Sequence, residues 1–353
     1  MKNIAVIGCG HGGQALAGHL ALLGLSVNLY AHPNHLGGLN LVKSKGGIDC
    51  HGAVQGFGKL NCITTDLNLA IKDTDIVFIC LPVVAHESIF INLLPYLQEN
   101  HIVVNLSAQF SGIFQKEILN RSNWEKNIII ADVTSFPYAC RSESPGQANI
   151  VSIKQSMGIA SYNYNLSFEV ASVLNKFFPS KLRVMSSFIE VGLYDPCGVT
   201  HPANVLFNAG RIGNNLEFYF YKDGITKETA SFLEKLDEER IEIGLKLKLK
   251  LPKFYEVMNE YYELSFKNIY DFYKLSPIHN KKTFCPAAIN HRYITEDVPY
   301  SLVPWLTIGE ALGVKCSAMR NIVEISSVLN NTNYFEKGRI ISDAHLREFH
   351  KCG

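Results

Sequence analysis

A histidine followed at once by a proline opens the stretch HPANVLFNAGRI, residues 201 to 212. Histidine is the side chain whose charge changes near neutrality, so His201 is a candidate general acid and base. A second polar cluster, INHRYITEDVP over residues 289 to 299, gathers His291, Arg292, Glu296 and Asp297 in a segment expected to be non-helical, since Pro299 disfavours helix just before it. Each residue has a plain alternative: His201 as a packed histidine, Asp297 as a turn residue or helix cap, Arg292 as half of a surface ion pair. Arg292 and Asp297 are five positions apart and share no face of a straight helix or strand, so they converge only if the chain bends. Asn208 can bind substrate or close a helix-packing hydrogen bond. Cys140, in SFPYACR, reads as a small packed thiol rather than a nucleophile, because no activating histidine lies nearby in sequence.

The N-terminus offers a site of another kind, made by backbone. GCGHGG, residues 8 to 13, is a G-x-G-x-x-G placed after a short apolar run and before a helical one. There Gly8 permits the tight turn, Gly10 lets the backbone approach a pyrophosphate, and Gly13 lets helix and sheet pack closely, with the phosphates at the helix N-terminus. His11, Gly12, and Leu81 and Pro82 at the end of DIVFICLP complete the expected cofactor set. The second strand ends in VNLYAHPNH, so Ala31 stands where an NAD-preferring site usually carries Asp or Glu. No acidic residue occurs between Lys2 and Asp49. Without that carboxylate a ribose 2′-phosphate can be accepted, with His32, His35 or Lys43 as partners, which favours NADP(H) over NAD(H).

Stepping outward, alternating elements must hold these residues. NIAVIG, SVNLYA, DIVFICLP, HIVVNLS and NIIIADV read as strands, with helical segments such as GQALAGHLALLG and AHESIFINLLPYL between them. Their near-unbroken apolar character suits a parallel sheet buried on both faces. SFEVASVLNKFF and KLRVMSS close this first domain, expected over residues 1–187. From residue 188 helical patterns take over: ANVLFNAGRIGNNLEFYFY, then TKETASFLEKLDEERIEIGLKLKLKL running to Pro252, then LVPWLTIGEALG and AMRNIVEISSVLNN. The expectation is an α/β Rossmann NAD(P)-binding domain followed by a helical substrate-binding and catalytic domain over 188–353, with substrate meeting the nicotinamide in a cleft between them.

Composition bounds the partners. The 353 residues are 47% apolar, and 33 basic against 32 acidic residues give a formal charge of +1, so nothing global points to nucleic acid or an anionic membrane surface. No run reaches the roughly 18 apolar residues of a membrane span, and glycines and histidines break up the N-terminal stretch that could pass for a signal peptide. Nine cysteines with no C-x-x-C pair fit reduced thiols in the cytoplasm. His32 with His35, and His350 with Cys352, lack further ligands at a recognised spacing, so no protein-bound metal is assigned.

The order of G-x-G-x-x-G, FPYACR, HPANVLFNAGRI, EKLDEERIEI and HRYITEDVPYSLVP, over essentially the whole chain, resembles the octopine/nopaline (opine) dehydrogenase family. The resemblance implies a Rossmann domain joined to an all-α domain of the 6-phosphogluconate-dehydrogenase-like kind. It also implies a reaction: the amino group of an amino acid condenses with a 2-oxo acid, pyruvate or 2-oxoglutarate, and the imine is reduced with NADH or NADPH to an N-(carboxyalkyl)amino acid. His201 and Asp297 match the family's catalytic pair and Arg292 its substrate-carboxylate ligand, while Gln109 in SAQFSG and Cys140 match substrate-lining positions more loosely. Pro202 suits a first helical turn, which puts His201 at a helix entrance where the dipole favours a neutral imidazole. Asp297 pulls toward the charged form and fixes the tautomer. A homodimer through the helical domain is the expected assembly.

Two alternatives compete. A ketone reductase of the ketopantoate reductase or glycerol-3-phosphate dehydrogenase type relies on a catalytic lysine in the helical domain, and no such lysine motif stands beside HPANVLFNAGR. A non-catalytic NADP(H) sensor would keep the fold without turnover. A requirement for an added amine separates the first, and indifference to losing His201 the second.

Overall fold

Five residues, NIAVI, form β1 (Asn3–Ile7), and burial of its last four inside a parallel sheet explains their apolar, β-branched character. In the computed structural model, which describes residues 2–142, 144–280 and 283–350, the chain divides into two compact units, Met1–Val191 and Gly192–Gly353.

The first unit contains helix α1 (His11–Leu22) and twelve strands: β1, β2 (Ser26–Tyr30), β3 (Gly47–Gly52), β4 (Gly56–Lys59), β5 (Cys62–Thr64), β6 (Ile76–Ile79), β7 (Ile102–Leu106), β8 (Ile129–Val133), β9 (Tyr138–Arg141), β10 (Gln147–Ile153), β11 (Ser156–Ser161) and β12 (Lys181–Val184). Among the described residues eight of them make one sheet in the order β12-β11-β8-β7-β6-β1-β2-β5. It is parallel from β5 to β8, and β11 then runs antiparallel to β8, which corrects the wholly parallel expectation. The other four make a second sheet, β4-β3-β10-β9, that the sequence reading did not foresee. Two of its strands, β3 and β4, carry glycines and all four are partly exposed, so they lack the unbroken buried runs that mark the main sheet. SFPYACR contributes β9 to it.

Helix α1 packs against strands of both sheets, which is why it buries residues all round rather than along one stripe. Gly18 makes this approach feasible: a side chain there would run into Ile48 and Cys50 of β3. His19 Nδ1 meets the Tyr138 hydroxyl at 2.9 Å, fastening the helix to β9.

The second unit is helical. Its central helix, Lys227–Lys246, starts on a Thr226 cap that accepts from Thr229 N at 3.2 Å. Arg240 is buried inside, donating to Asp237, to Leu193 O and to Pro252 O, while Asp237 accepts from Phe254 N. Removing one member of such a fully bonded ion pair costs about 3–5 kcal/mol. Glu239 accepts from the amides of Ala318 and Met319, capping the helix Ser317–Leu329.

Two helical expectations were too long. The central helix ends at Lys246 instead of running to Pro252, because Gly244 opens a groove into which Leu251 folds back, with Lys248 left-handed at φ 56°. ANVLFNAGRIGNNLEFYFY is also broken: helix Cys197–Phe207 gives way at Asn208 to a short helix Ala209–Gly213, and Tyr219 then pairs as an isolated bridge with Phe284. Among the described residues no helix is long and apolar enough to cross a membrane.

Candidate active site

In the first unit the turn from β1 into α1 is a cradle defined by missing side chains. Gly8 has φ 127°, and a Cβ there would strike the carbonyl of Cys80; a Cβ on Gly13 would overlap Gly8 O. Gly10 differs, with space open around it and an ordinary extended backbone. An open position without a side chain lets a ligand approach the backbone closely. The first turn of α1 carries no acid and its N-cap has no side-chain cap, so its amides and dipole remain available to an anion. This donor set fits a dinucleotide pyrophosphate.

The surroundings brace the turn. Gln14 donates to Cys9 O and Gly37 O and accepts from Gly146 N, and His11 Nδ1 accepts from Ser142 N at 2.6 Å. Phe136 lies over Gly12, where a Cβ would meet its ring at 2.7 Å, and buried Lys154 holds that segment by donating to Ser135 Oγ and Phe136 O. Leu81 lies against Gly8, and its carbonyl accepts from His86 Nε2; Pro82 follows it into the next turn. Ala31 is buried at the end of β2 and donates to Thr64 O, while His32 is exposed and its Nδ1 accepts from Asn34 N. Gln109 is buried in a left-handed turn after β7. Cys140 is half-buried with Sγ 3.8 Å from His11 O, and burial pushes its thiol pKa up to about 12, which suits packing rather than nucleophilic attack.

In the second unit His201 and Asp297, 96 positions apart in sequence, are in contact: Nδ1 lies 2.7 Å from Asp297 Oδ2. The carboxylate accepts, so Nδ1 carries a proton, and in the neutral form of the ring Nε2 keeps its lone pair. That lone pair faces the Tyr221 hydroxyl at 3.0 Å. Burial, together with Tyr293, Tyr273 and Cys197, holds the Tyr221 phenol far above its ordinary pKa, so it stays protonated and donates to Nε2. Tyr293 stacks on the imidazole with ring centroids 4.1 Å apart. His201 and Asp297 side chains are 16% and 8% exposed, so the pair is shielded yet reachable from one side.

Local structure sets this geometry, and it corrects two expectations. His201 lies inside helix Cys197–Phe207 rather than at its entrance, because Pro202 is tolerated within the helix instead of starting it. The dipole argument for a neutral imidazole therefore lapses, and what the surroundings fix is the orientation of the ring, between Asp297 and Tyr221. The 289–299 stretch is not free of helix: His291 caps a short helix Arg292–Thr295, and a π turn Val298–Leu302 follows. This change of winding supplies the bend. Arg292 pairs with buried Glu296 at 2.9 Å while Asp297 turns to His201. Asp195 ties the two segments together, accepting from Cys197 N and from Ser301 Oγ in the π turn.

Arg292 has a 62% exposed side chain, open to a carboxylate. Asn208 instead spends its amide on Asn204, Gly224 O and Arg211, hydrogen bonds that close the helix end. Tyr221 and Tyr293 escaped sequence reading. EFYFY has a pattern compatible with helix, and Tyr293 in HRYITED stands among charged neighbours that carry the stronger chemical signal. Cys352 lies outside the described residues.

Comparison with known proteins converges. A family model described as NAD/NADP octopine/nopaline dehydrogenase, alpha-helical domain, matches residues 184–330, and one described as NADP oxidoreductase, coenzyme F420-dependent, matches residues 3–109. An opine dehydrogenase of Arthrobacter sp. (strain 1C) is 30% identical over 98% of this chain and 95% of its own. The structure of octopine dehydrogenase with NADH and L-arginine superposes with a TM-score of 0.75 at 19% identity, covering 94% of this chain and 90% of that one. Yersinopine dehydrogenase with NADP+ bound gives 0.70 at 14% identity, covering 100% and 98%. On the strength of the full-length relative, with the helical-domain model in agreement, the chain belongs to the opine dehydrogenase family, NAD(P)H-dependent oxidoreductases acting on CH–NH groups.

Proposed function

We propose that His201 is the proton-transfer residue of this reaction, Asp297 its orienting partner and Arg292 the ligand of a substrate carboxylate. The observation that carries the reading is the pair of bonds on one imidazole: Asp297 fixes Nδ1–H, and Nε2 is left as a base facing the Tyr221 hydroxyl. An amino acid's ammonium displaces that hydroxyl and gives a proton to Nε2, freeing the amine to attack the 2-oxo carbon. Once the adduct's own N–H proton has passed to its oxygen, the imidazolium, stabilised by Asp297, protonates the carbinolamine hydroxyl, which leaves as water to give the protonated imine. Arg292 holds a carboxylate bidentately while this happens. The nicotinamide, when bound, supplies the hydride that reduces the imine carbon.

The residues toward the cofactor are Gly8, Gly10, His11, Gly12 and Gly13, with Leu81 and Pro82 beside them. NADPH is the preferred form on this reading, supported by a buried Ala31 and the absence of acids before Asp49. Gln109 and Cys140 belong to the proposed substrate surroundings, whereas the bonding of Asn208 favours packing. Pyruvate or 2-oxoglutarate is the oxo acid. A cytoplasmic location accords with eight described cysteines that form no disulfide, and a homodimer through the helical unit accords with Ile325, Val328 and Leu329 exposed on one helix.

The test follows NADPH oxidation with each oxo acid, with and without a panel of amino acids, in the wild type and His201→Ala. Oxidation that needs an amino acid and collapses in the variant is expected. Turnover with oxo acid alone, or an unaffected variant, overturns the reading.

A further inference from the structure

Cys197 has no part in the chemistry above, yet it sits one helical turn before His201. That spacing puts the thiol and the imidazole on the same face of helix Cys197–Phe207. Asp297 reaches this face from the other segment. A sulfur of Cys197, a ring nitrogen of His201 and a carboxylate oxygen of Asp297 all lie within 4.8 Å of one another. Among the described residues this is the one such cluster of three metal-ligating groups.

The geometry points to a binding site for a thiophilic divalent cation of the zinc class, held by Cys197, His201 and Asp297. Thiolate, imidazole and carboxylate together select zinc, cadmium or cobalt over magnesium or calcium, which prefer oxygen alone. In a tetrahedral zinc site the ligand atoms lie roughly 3.3–3.8 Å apart, so side-chain shifts of about 1 Å close the triad on an ion. Charge fits as well. The Cys197 thiolate formed on binding, Asp297 and Glu296 carry three negative charges, and Arg292, which lies in the field of all three, carries one positive. The remainder matches a dication. Three protein ligands leave a fourth position for water, or for the amine and carboxylate of an amino acid.

Binding releases the thiol proton and engages an imidazole nitrogen, so the ion competes with the hydrogen bonds to Tyr221 and Asp297. On the role proposed for His201, an occupied site is an inactive one. Zinc would then act as a reversible brake on turnover, relieved by chelators and by metal-binding amino acids. Only this consequence rests on that role; the site itself does not.

The experiment titrates the full-length protein with Co2+, reading the thiolate-to-cobalt absorption band, and follows turnover in parallel with Zn2+, in the wild type and in Cys197→Ser. The expected result is a band in the wild type that is missing in C197S. Zinc inhibition should be reversed by EDTA and weakened at least about tenfold in C197S, since even partners outside the ligand shell change metal affinity about 10–100-fold. Turnover of C197S without metal stays near wild type, which shows that the variant is folded. No band in the wild type, an equal band in C197S, or equal zinc inhibition of both overturns the site. A cysteine-dependent band with undiminished turnover upholds the site and counts against His201 as the proton-transfer residue.

Discussion

The glycine turn of the first unit and the histidine centre of the second are built on opposite principles. The turn is a local object: residues 8 to 13 carry it, and its shape comes from side chains that are missing. The histidine centre is assembled from 197–201, 221 and 292–297, and its chemistry comes from which side chains meet. A site made of backbone is tuned by sterics at single positions, whereas one made of side chains is tuned by the elements that bring them together.

The sharpest way to break this contrast is His201→Ala. It should lower kcat about 10²–10⁴-fold, the range of a lost general acid and base, while NADPH affinity measured by fluorescence titration stays unchanged. A parallel loss of nucleotide affinity would mean that the two sites are not separable. Next in size are two glycine variants that sharpen the steric half. Gly10→Ala should leave the melting temperature near wild type and weaken NADPH at least about tenfold, roughly 1.4 kcal/mol, because only the ligand needs that space. Gly13→Ala should destabilise the unit itself by about 1–3 kcal/mol, since its Cβ overlaps Gly8 O. Calorimetry beside nucleotide titration distinguishes them.

Tyr221→Phe removes one hydrogen bond from Nε2 and keeps the ring. Because the substrate ammonium must displace the Tyr221 hydroxyl, the KM for the amino acid is expected to fall up to about fivefold, in line with about 1 kcal/mol for such a bond, with kcat nearly unchanged. The smallest effect lies far from either site. His101 is buried, its Nε2–H donating to Thr74 O, and burial lowers its pKa below the ordinary 6.5 despite that bond. The folded state therefore prefers neutral His101, and the unfolded chain takes up the proton first on acidification. Its stabilising contribution is full above about pH 6.5 and declines as pH falls through that value toward the lower folded pKa. His101→Gln should flatten the change in urea midpoint between about pH 7.5 and about pH 5.5.

This contrast also explains what the sequence could reveal. The main-sheet strands and α1 were legible because buried parallel strands and glycine turns write themselves into consecutive residues. The second sheet was not, since β3 and β4 carry glycines, β9 and β10 are only partly buried, and the two halves meet through β3 and β10 across a long stretch of chain. For the centre, residue types alone nominated His201, Arg292 and Asp297, and the family resemblance paired them. The bend at 296–302 was invisible, because a π turn has no apolar period of its own and Pro299 argued against any helix. Tyr221 was hidden for a related reason: EFYFY has a helix-compatible pattern, and only its tertiary pairing with 283–285 straightens it.

The second sheet has a consequence for how the chain is made. Its two inner strands, β3 and β10, pair Asp49 with Gln147, so one flank of α1 stays uncovered until nearly half of the chain has been synthesised. Contacts of such sequence separation are slow to form, because a long loop must close before they yield any free energy. During translation the glycine turn would thus emerge early but rigidify late, once Gly146 reaches Gln14 and Ser142 reaches His11. A nascent chain stopped short of β10 would expose the apolar flank of its own nucleotide-binding helix, which makes that interval the one most dependent on chaperones.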